Sequence, residues 1–147
     1  DWFAAWLVCE STIIANTVHP PLAGRRTWGW SQASFITFRA DVGRDAALRH
    51  WHGHHTRVAI DTQANFEYVQ NVIVRSLTEG APVYDAFVEE CFPPEAMTDP
   101  GAFFAAAGDA SLLKSNLAAM MDSCRKFLDF TRNDIVPTSQ FDFAKGN

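Results

Sequence analysis

The chain lacks the features that define several common classes of protein. Its three cysteines are odd in number and form no Cys-x-x-Cys pair, which excludes a dense disulfide framework and favours a reduced protein of the cytoplasm. No apolar run approaches the roughly 20 residues that a membrane-spanning helix needs. The opening residues have no basic leader and include Glu10, so they make a poor signal peptide. We therefore expect a cytoplasmic protein with no membrane partner.

Positive charge is also scarce. Lys and Arg number 12 against 17 Asp and Glu, the formal net charge is -5, and no Lys/Arg cluster is present. This pattern excludes the electrostatic footprint of a nucleic-acid-binding protein. Glycine-rich phosphate loops, the Gly-x-Ser-x-Gly motif and a reactive-cysteine setting are missing as well. What remains is an ordinary globular composition, 48% hydrophobic over 147 residues, which suits one domain.

Hydrophobic periodicity divides the chain into strands and helices. It predicts strands over residues 2–14, 28–39, 66–77, 84–92 and 134–143, and helices over residues 44–62, 95–107 and 111–130. From Ser34 onward the order is β-α-β-β-α-β. This order predicts an α+β, ferredoxin-like fold with a four-stranded antiparallel sheet, helices on one face and an extra N-terminal strand. The other sheet face is also apolar, so we expect a second copy of the chain to cover it as a homodimer.

The predicted helix over residues 44–62 carries four of the five histidines. Its apolar stripe consists of Leu48, Trp51, His55, Val58 and Ala59. Its solvent side consists of His50, His54, Arg57 and Asp61. One imidazole, that of His55, therefore points into the protein, where a group with an ordinary pKa near 6.5 can act as base or acid near neutral pH. The alternative is a core histidine bonded to a backbone carbonyl.

The histidine cluster also has to be considered as a metal site. His50 and His54 are four residues apart on one helix face, a spacing that can chelate a divalent ion. The His-Glu-x-x-His motif is not present, because Trp51 stands next to His50. We therefore expect a solvated polar face and no metal.

Two carboxylates of the predicted strand over residues 84–92 lie on one face. Asp85 and Glu89 are four residues apart and so about 13 Å apart at roughly 3.3 Å per residue, which is too far for a carboxylate pair acting on one bond. Glu89 is flanked on its own face by Phe87 and Cys91. A carboxylate among apolar neighbours needs a partner or a raised pKa. The alternatives are a turn-capping role for Asp85 and a surface or ion-paired Glu89.

The preceding strand offers Tyr68 and Asn71. Simple alternation places them on opposite faces, so at most one of them lines a given cavity unless a bulge intervenes. An amide in mid-strand is costly unless it is bonded, which makes Asn71 a candidate for holding a substrate carbonyl. Tyr68 could equally serve sheet packing.

These motifs together resemble those of the EthD family. The resemblance covers roughly residues 33–143 and is carried by Phe38-Arg39, Trp51-x3-His55, Tyr68-Val-Gln-Asn71, Tyr84-Asp85, Glu89, Phe92 and Phe127-Leu-Asp129. The chain departs from the usual family pattern at His55-Thr56-Arg57, where the family has His-Ala-Pro, and at Ala86, where it has glycine. The resemblance implies a dimeric α+β barrel built from an EthD-like domain over residues 33–147. Residues 1–32 would then be an extension, either an added strand or the tail of a preceding similar domain.

The same resemblance implies a class of chemistry. EthD-like proteins and their neighbours act in catabolic and polyketide pathways, several as cofactor-free cyclases, dehydratases or decarboxylases. We therefore expect acid/base chemistry on an aromatic or polyketide-like molecule. Candidate catalytic residues are His55, Asn71 and Glu89; candidate substrate-binding residues are Phe38, Trp51, Tyr68, Asp85 and Phe87. Two alternatives stay open: a non-catalytic carrier of a hydrophobic metabolite, and a haem-binding monooxygenase of the same fold with His55 as axial ligand.

Overall fold

A computed structural model describes residues 3–143, and this part of the chain forms one five-stranded sheet, four α-helices and two shorter helical turns. The strands are β1 (Trp6–Ile14), β2 (Trp30–Ile36), β3 (Glu67–Ser76), β4 (Ala86–Phe92) and β5 (Asp134–Thr138). The helices are α1 (Arg44–His50), α2 (Thr56–Thr62), α3 (Pro100–Phe103) and α4 (Ala110–Cys124). A π-helical turn (Trp51–His55) joins α1 to α2, and a 3-10 turn (Pro94–Met97) precedes α3. Within the described range, no helix has the length and apolar character needed to cross a bilayer.

The sheet is antiparallel with the strand order β1-β3-β4-β2-β5. The order β3-β4-β2-β5 is compatible with the predicted ferredoxin-like arrangement. The sheet has five strands rather than four because β1 pairs with β3 along the outer edge. Strand β2 begins at Trp30, inside the predicted extension, and the division of the chain at residue 33 stays a prediction. Trp2, the first residue of the first predicted strand, and residues 144–147 of the predicted domain lie outside the described residues.

The helices pack on one face of the sheet, and the main hydrophobic core lies between the helices and that face. This core consists of Ile36, Phe38, Ala47, Trp51, Ala59, Tyr68, Ala86, Val88, Met120, Cys124 and Phe127. Trp51 and Phe127 are each 1% exposed, so burial of each side chain stabilises the fold by about 2–3 kcal/mol. A smaller cluster of Trp30, Phe92 and Ala96 extends the same layer.

Two predicted helices have different ends from those expected. The one over residues 95–107 is interrupted, because Pro100 fits only a first helical turn and the Asp99 carboxylate caps it by accepting a hydrogen bond from the Gly101 N–H at 2.8 Å. The helix predicted to reach residue 130 ends at Cys124. Beyond it the chain turns, and Leu128 pairs with Phe38 in an isolated β-bridge. Phe127 keeps the helical spacing of its buried neighbours although it lies outside the helix.

The histidine-bearing helix is not a single α-helix. At Trp51 it widens into the π-helical turn, in which the Thr56 N–H donates to the Trp51 carbonyl five residues earlier. The Thr56 hydroxyl donates to the same carbonyl at 2.9 Å and so stabilises the turn. Both ends of the turn, Trp51 and His55, face inward as predicted, with 1% and 8% exposure. Turns of this kind are rare and frequently occur at functional sites.

His50, predicted to lie on the solvent side, is only partly exposed. The buried stripe of α1 is centred on Ala47 and Trp51, and His50, three residues after Ala47, lies beside that stripe. Its ring is half-buried against α4, with Nε2 3.1 Å from the Ser123 carbonyl oxygen. His54, in contrast, is exposed as predicted.

Candidate functional site

A cavity of about 310 Å³ lies between the helices and the covered face of the sheet. Its apolar wall includes Ile36, Trp51, Ala59, Val88, Met120, Phe127 and Leu128. Its polar lining includes Gln32, His55, Gln63, Tyr68, Glu90 and Asn133. Ligand sites in proteins typically combine such apolar walls with a few converging polar groups. The cavity is therefore the candidate site, and its chemistry depends on the ionisable groups inside it.

His55 enters the cavity from the π-helical turn. Its Nδ1 is 2.9 Å from the hydroxyl oxygen of Ser123 on α4. Burial, helped by the nearby rings of His50 and His54, lowers the pKa of His55 to about 4. The imidazole is therefore neutral at pH 7, and because Nδ1 is engaged by Ser123, Nε2 is the nitrogen left for a ligand.

Glu90 reaches the cavity from β4. It is 7% exposed, and each carboxyl oxygen accepts one amide hydrogen bond, from Asn65 Nδ2 at 2.7 Å and from Gln32 Nε2 at 3.4 Å. In the part of the chain that the structure describes, Glu90 forms no ion pair. Burial without a cation raises its pKa to about 7. Glu90 can therefore gain or release a proton near neutral pH.

Tyr68 lies directly opposite Glu90 in the β3–β4 ladder and shares its face. Its hydroxyl accepts a hydrogen bond from Gln70 Nε2 at 2.6 Å, and the same amide donates to the Thr56 hydroxyl at 2.9 Å. Burial and the charge of Glu90 raise the pKa of Tyr68 to about 12. The phenol therefore keeps its proton and can serve as a hydrogen-bond donor.

The sheet separates the other two candidate catalytic residues from His55. Asn71 and Glu89 lie on the opposite, open face, where Asn71 Nδ2 donates to Glu89 Oε2 at 3.3 Å. Phe87 lies on that face too and stacks on Phe35 at 4.6 Å. The expectation that Asn71 and Glu89 act beside His55 is therefore corrected: alternation along β3 and β4 turns them away from the helices. Burial chiefly raises the pKa of Glu89, and the carboxylates of Glu67 and Glu10 add to it.

Asp85 and Phe38 are placed near the cavity but do not line it. The Asp85 carboxylate accepts the Phe38 N–H at 2.8 Å and pairs with Arg44 Nη1 at 2.5 Å, which joins the end of β2 to the start of α1. Phe38 packs edge-on against Trp51 with ring centroids 6.0 Å apart. Phe38 therefore packs against a residue of the cavity wall without lining the cavity itself. The contacts of Asp85 agree better with the turn-capping alternative than with substrate binding.

The sequence that builds the site matches a known family. The EthD domain model matches residues 39–131, which is more than half of the chain. The chain belongs to the EthD family. This confirms the resemblance carried by the sequence motifs, and the matched range includes His55, Tyr68, Glu90 and Ser123. No match to a curated protein or to a solved structure was found.

Glu90 and Ser123 are among the residues of the site that were not predicted from the sequence. Glu90 shares its face of β4 with Ala86, Val88 and Phe92, but Phe87 and Cys91 make the face of Glu89 apolar as well, so alternation alone gave no signal for Glu90. The signal for Ser123 was its helical spacing from Met120, which places its hydroxyl on the buried side of α4.

The lining of the cavity can be compared with what a metal ion or a haem group requires. No group of three or more His, Cys, Asp or Glu side chains within residues 3–143 could hold a metal ion. The cavity volume of about 310 Å³ is at the lower end of the range for small-molecule pockets, about 300–1,000 Å³. Its described lining contains no Lys or Arg that could pair with haem propionates.

Proposed function

We propose that this EthD-family chain catalyses cofactor-independent proton transfer on a small aromatic or polyketide-like molecule, in a cyclisation, dehydration or decarboxylation. The observation that carries the proposal is a largely apolar cavity lined by both a buried carboxyl group, that of Glu90, and a buried imidazole, that of His55. Burial raises the pKa of Glu90 to about 7 and lowers that of His55 to about 4. General acid–base catalysis is most effective when the pKa of the catalytic group lies near the working pH. Glu90 meets this condition without any metal or cation.

The lining supports an aromatic skeleton as substrate. Trp51, Met120 and Phe127 offer flat or polarisable apolar surface, while the polar groups are concentrated at the sheet and at His55. A molecule with a fused aromatic core and a carbonyl group would bury its rings against the helices. Its carbonyl would meet the hydrogen-bond donors.

The proposed roles follow from the ionisation states. Glu90, as the carboxylate, takes a proton from the carbon next to the substrate carbonyl. The neutral His55 Nε2–H and the Tyr68 hydroxyl donate to the oxygen on which negative charge develops. His55 then delivers its Nε2 proton to the leaving hydroxyl or to the enolate oxygen, while its Nδ1 takes up another proton so that the ring stays neutral. In this scheme Tyr68 holds the substrate oxygen, the role expected from the sequence for Asn71, and Glu90 acts as the base, a role expected for His55.

Exchange of carbon-bound hydrogen tests the proposal without knowledge of the natural substrate. β-Tetralone is a bicyclic aromatic ketone with acidic hydrogens beside its carbonyl, and in deuterium oxide their loss is followed by proton NMR. We expect wild-type protein to accelerate exchange above buffer, with a rate that rises with pH up to about 7 as Glu90 ionises. The His55→Ala variant should lose most of the acceleration. Unchanged exchange in that variant would defeat the mechanism, and binding without any exchange would favour the carrier function.

We also propose that the enzyme is a homodimer in the cytoplasm. The open sheet face carries a cluster of half-buried aromatic side chains, Trp6, Phe35, Tyr84 and Phe87, whose neighbouring rings lie 4.6–6.2 Å apart. Such a surface favours association with a second copy. The three cysteines are free, as in a reducing compartment. Sedimentation equilibrium should give a dimer for wild-type and a monomer for Phe87→Glu with unchanged circular dichroism; a monomeric wild-type would contradict the proposal.

A further inference from the structure

We propose that Ser123 and His50 form a proton relay that connects His55 in the cavity with solvent on the outer side of the helices. The proposal rests on the proposed function, since it takes His55 as the group that meets the substrate. Ser123 and His50 then act through His55 and are positioning residues.

The geometry places three side chains in series. Ser123 is 2% exposed, and its hydroxyl oxygen lies 2.9 Å from His55 Nδ1 and 3.1 Å from His50 Nε2. The carbonyl oxygen of Ser123 is also 3.1 Å from His50 Nε2. One buried hydroxyl therefore bridges two imidazoles that belong to the same helical segment.

The carbonyl contact decides the direction of the hydrogen bonds. A carbonyl oxygen can only accept, so His50 must carry its hydrogen on Nε2. That N–H is shared between the carbonyl and the hydroxyl oxygen of Ser123, and the hydroxyl is left to donate to His55 Nδ1. His55 then carries its own hydrogen on Nε2, the nitrogen available to a ligand in the cavity. The chain of donors runs from His50 to the substrate.

The outer end of the relay is open to exchange. His50 is half-buried, and its ring centroid is 5.1 Å from that of the exposed His54. Burial chiefly lowers the pKa of His50, and the charges of His54 and Lys126 lower it further. The ring of Phe127 lies against both histidines, at 5.5 Å from His50 and 4.8 Å from His55. Both histidines therefore stay neutral near pH 7, while the Nδ1 of His50 can exchange protons with water.

Each proton in the relay has a defined origin and destination. The His55 Nε2–H bond breaks as its proton passes to the substrate oxygen, and His55 Nδ1 takes the hydroxyl proton of Ser123. The Ser123 oxygen takes the proton of His50 Nε2, and His50 Nδ1 takes one from solvent water. The substrate gains one proton, solvent loses one, and both rings end neutral in the other tautomer. His55 therefore gives up its Nε2 proton without becoming an imidazolate in an apolar cavity, where an unpaired charge is costly, and the same transfers in reverse restore the starting tautomers.

Histidine tautomers test the relay without any turnover. Nitrogen NMR of isotope-labelled protein distinguishes the Nδ1–H and Nε2–H forms of each ring. We expect Nε2–H for both His50 and His55 in wild-type, loss of that preference at His55 in Ser123→Ala, and no change in the exposed-site control His54→Gln. An Nδ1–H tautomer of His55 in wild-type, or an unaltered tautomer in Ser123→Ala, would overturn the proposal.

β-Tetralone exchange then separates proton delivery from structure. His50→Gln keeps an N–H donor for Ser123 but cannot pass a proton on, so His55 should keep its tautomer while kcat falls roughly 10-fold or more with KM unchanged. His50→Ala should lose the same activity and regain it with added imidazole, whereas His54→Ala should match wild-type. If wild-type accelerates exchange and both His50 variants equal it, the relay is overturned. If wild-type gives no acceleration, the proposed function fails, and the tautomers alone decide whether the hydrogen-bonded chain exists.

Discussion

Glu89 and Glu90 are neighbours in the chain but lie on opposite faces of the sheet. Glu89 is half-buried on the open face, where an Asn71 amide and two further carboxylates surround it. Glu90 is 7% exposed beneath the helices, where it meets only amides, a phenol and apolar side chains. The pKa of each carboxyl group is raised by burial, that of Glu90 to about 7. Because side chains alternate along a strand, two consecutive glutamates lie on opposite faces, and only the carboxyl group of Glu90 lines the cavity.

The two faces should first differ in how much they contribute to stability. Trp51→Ala removes a fully buried indole from the covered face and should lower the free energy of unfolding by about 3–5 kcal/mol. Phe87→Ala on the open face should cost clearly less, because Phe87 is only half-buried. Urea denaturation at one pH measures both. Equal losses would show that the open face is as tightly packed as the covered one.

The two glutamates should next differ in how they link stability to pH. The pKa of Glu90 is about 7 in the folded protein and near its ordinary 4.5 when unfolded. Between these values the unfolded chain releases the proton first, so Glu90 removes about 3 kcal/mol of stability as pH rises from 4.5 to 7. Gln at position 90 does not titrate. The free energy of unfolding of Glu90→Gln, relative to that of wild-type, should therefore rise by about 3 kcal/mol between pH 4.5 and pH 7. Urea denaturation at several pH values measures the difference.

The control for this experiment is Glu89→Gln. Its gain in free energy of unfolding relative to wild-type over the same pH interval should be smaller, because solvent reaches Glu89. His55 acts in the opposite direction. Its pKa of about 4 lies below the ordinary 6.5, so stability is lost as pH falls through this range. This contribution is present in wild-type and in both variants and cancels in the comparison. A pH-independent difference between wild-type and Glu90→Gln would contradict the burial of an ionisable Glu90.

The smallest expected change in stability comes from a substitution on the exposed surface of the π-helical turn (Trp51–His55). Gly53 is exposed within the π-helical turn, and a Cβ atom there would meet nothing within 4 Å. Gly53→Ala should therefore stabilise the fold by about 0.5–1 kcal/mol through the lower conformational entropy of the unfolded chain. Thermal unfolding measures this. A destabilised variant would indicate that the turn needs the freedom of glycine.

The strand and helix order followed from periodicity alone. The inward orientation of Trp51 and His55 followed from helical spacing, because an apolar stripe must face the core. The family followed from the motifs around these residues, and its match to residues 39–131 confirms it. These features depend on the local sequence pattern and not on long-range packing.

The choice between Glu89 and Glu90 could not be made in the same way. Both faces of β4 carry apolar residues, so alternation separates the two glutamates without telling which face the helices cover. The π-helical turn has no local signal of its own, and the contact between His50 and α4 depends on tertiary packing. The bridge through Ser123 likewise joins segments 73 and 68 residues apart. Long-range packing therefore determined the part of the site that the sequence could not reveal.

The most direct test of the account compares kcat for β-tetralone exchange in Glu90→Gln and Glu89→Gln, side by side at pH 8. Both variants replace a carboxyl by an amide of nearly equal size, so they differ only in the face of the sheet they affect. We expect Glu90→Gln to lose about 100-fold or more of the wild-type kcat, as for removal of a general base, and Glu89→Gln to retain the wild-type kcat. Full activity in Glu90→Gln, or an equal loss in both variants, would contradict the claim that the covered face carries the chemistry.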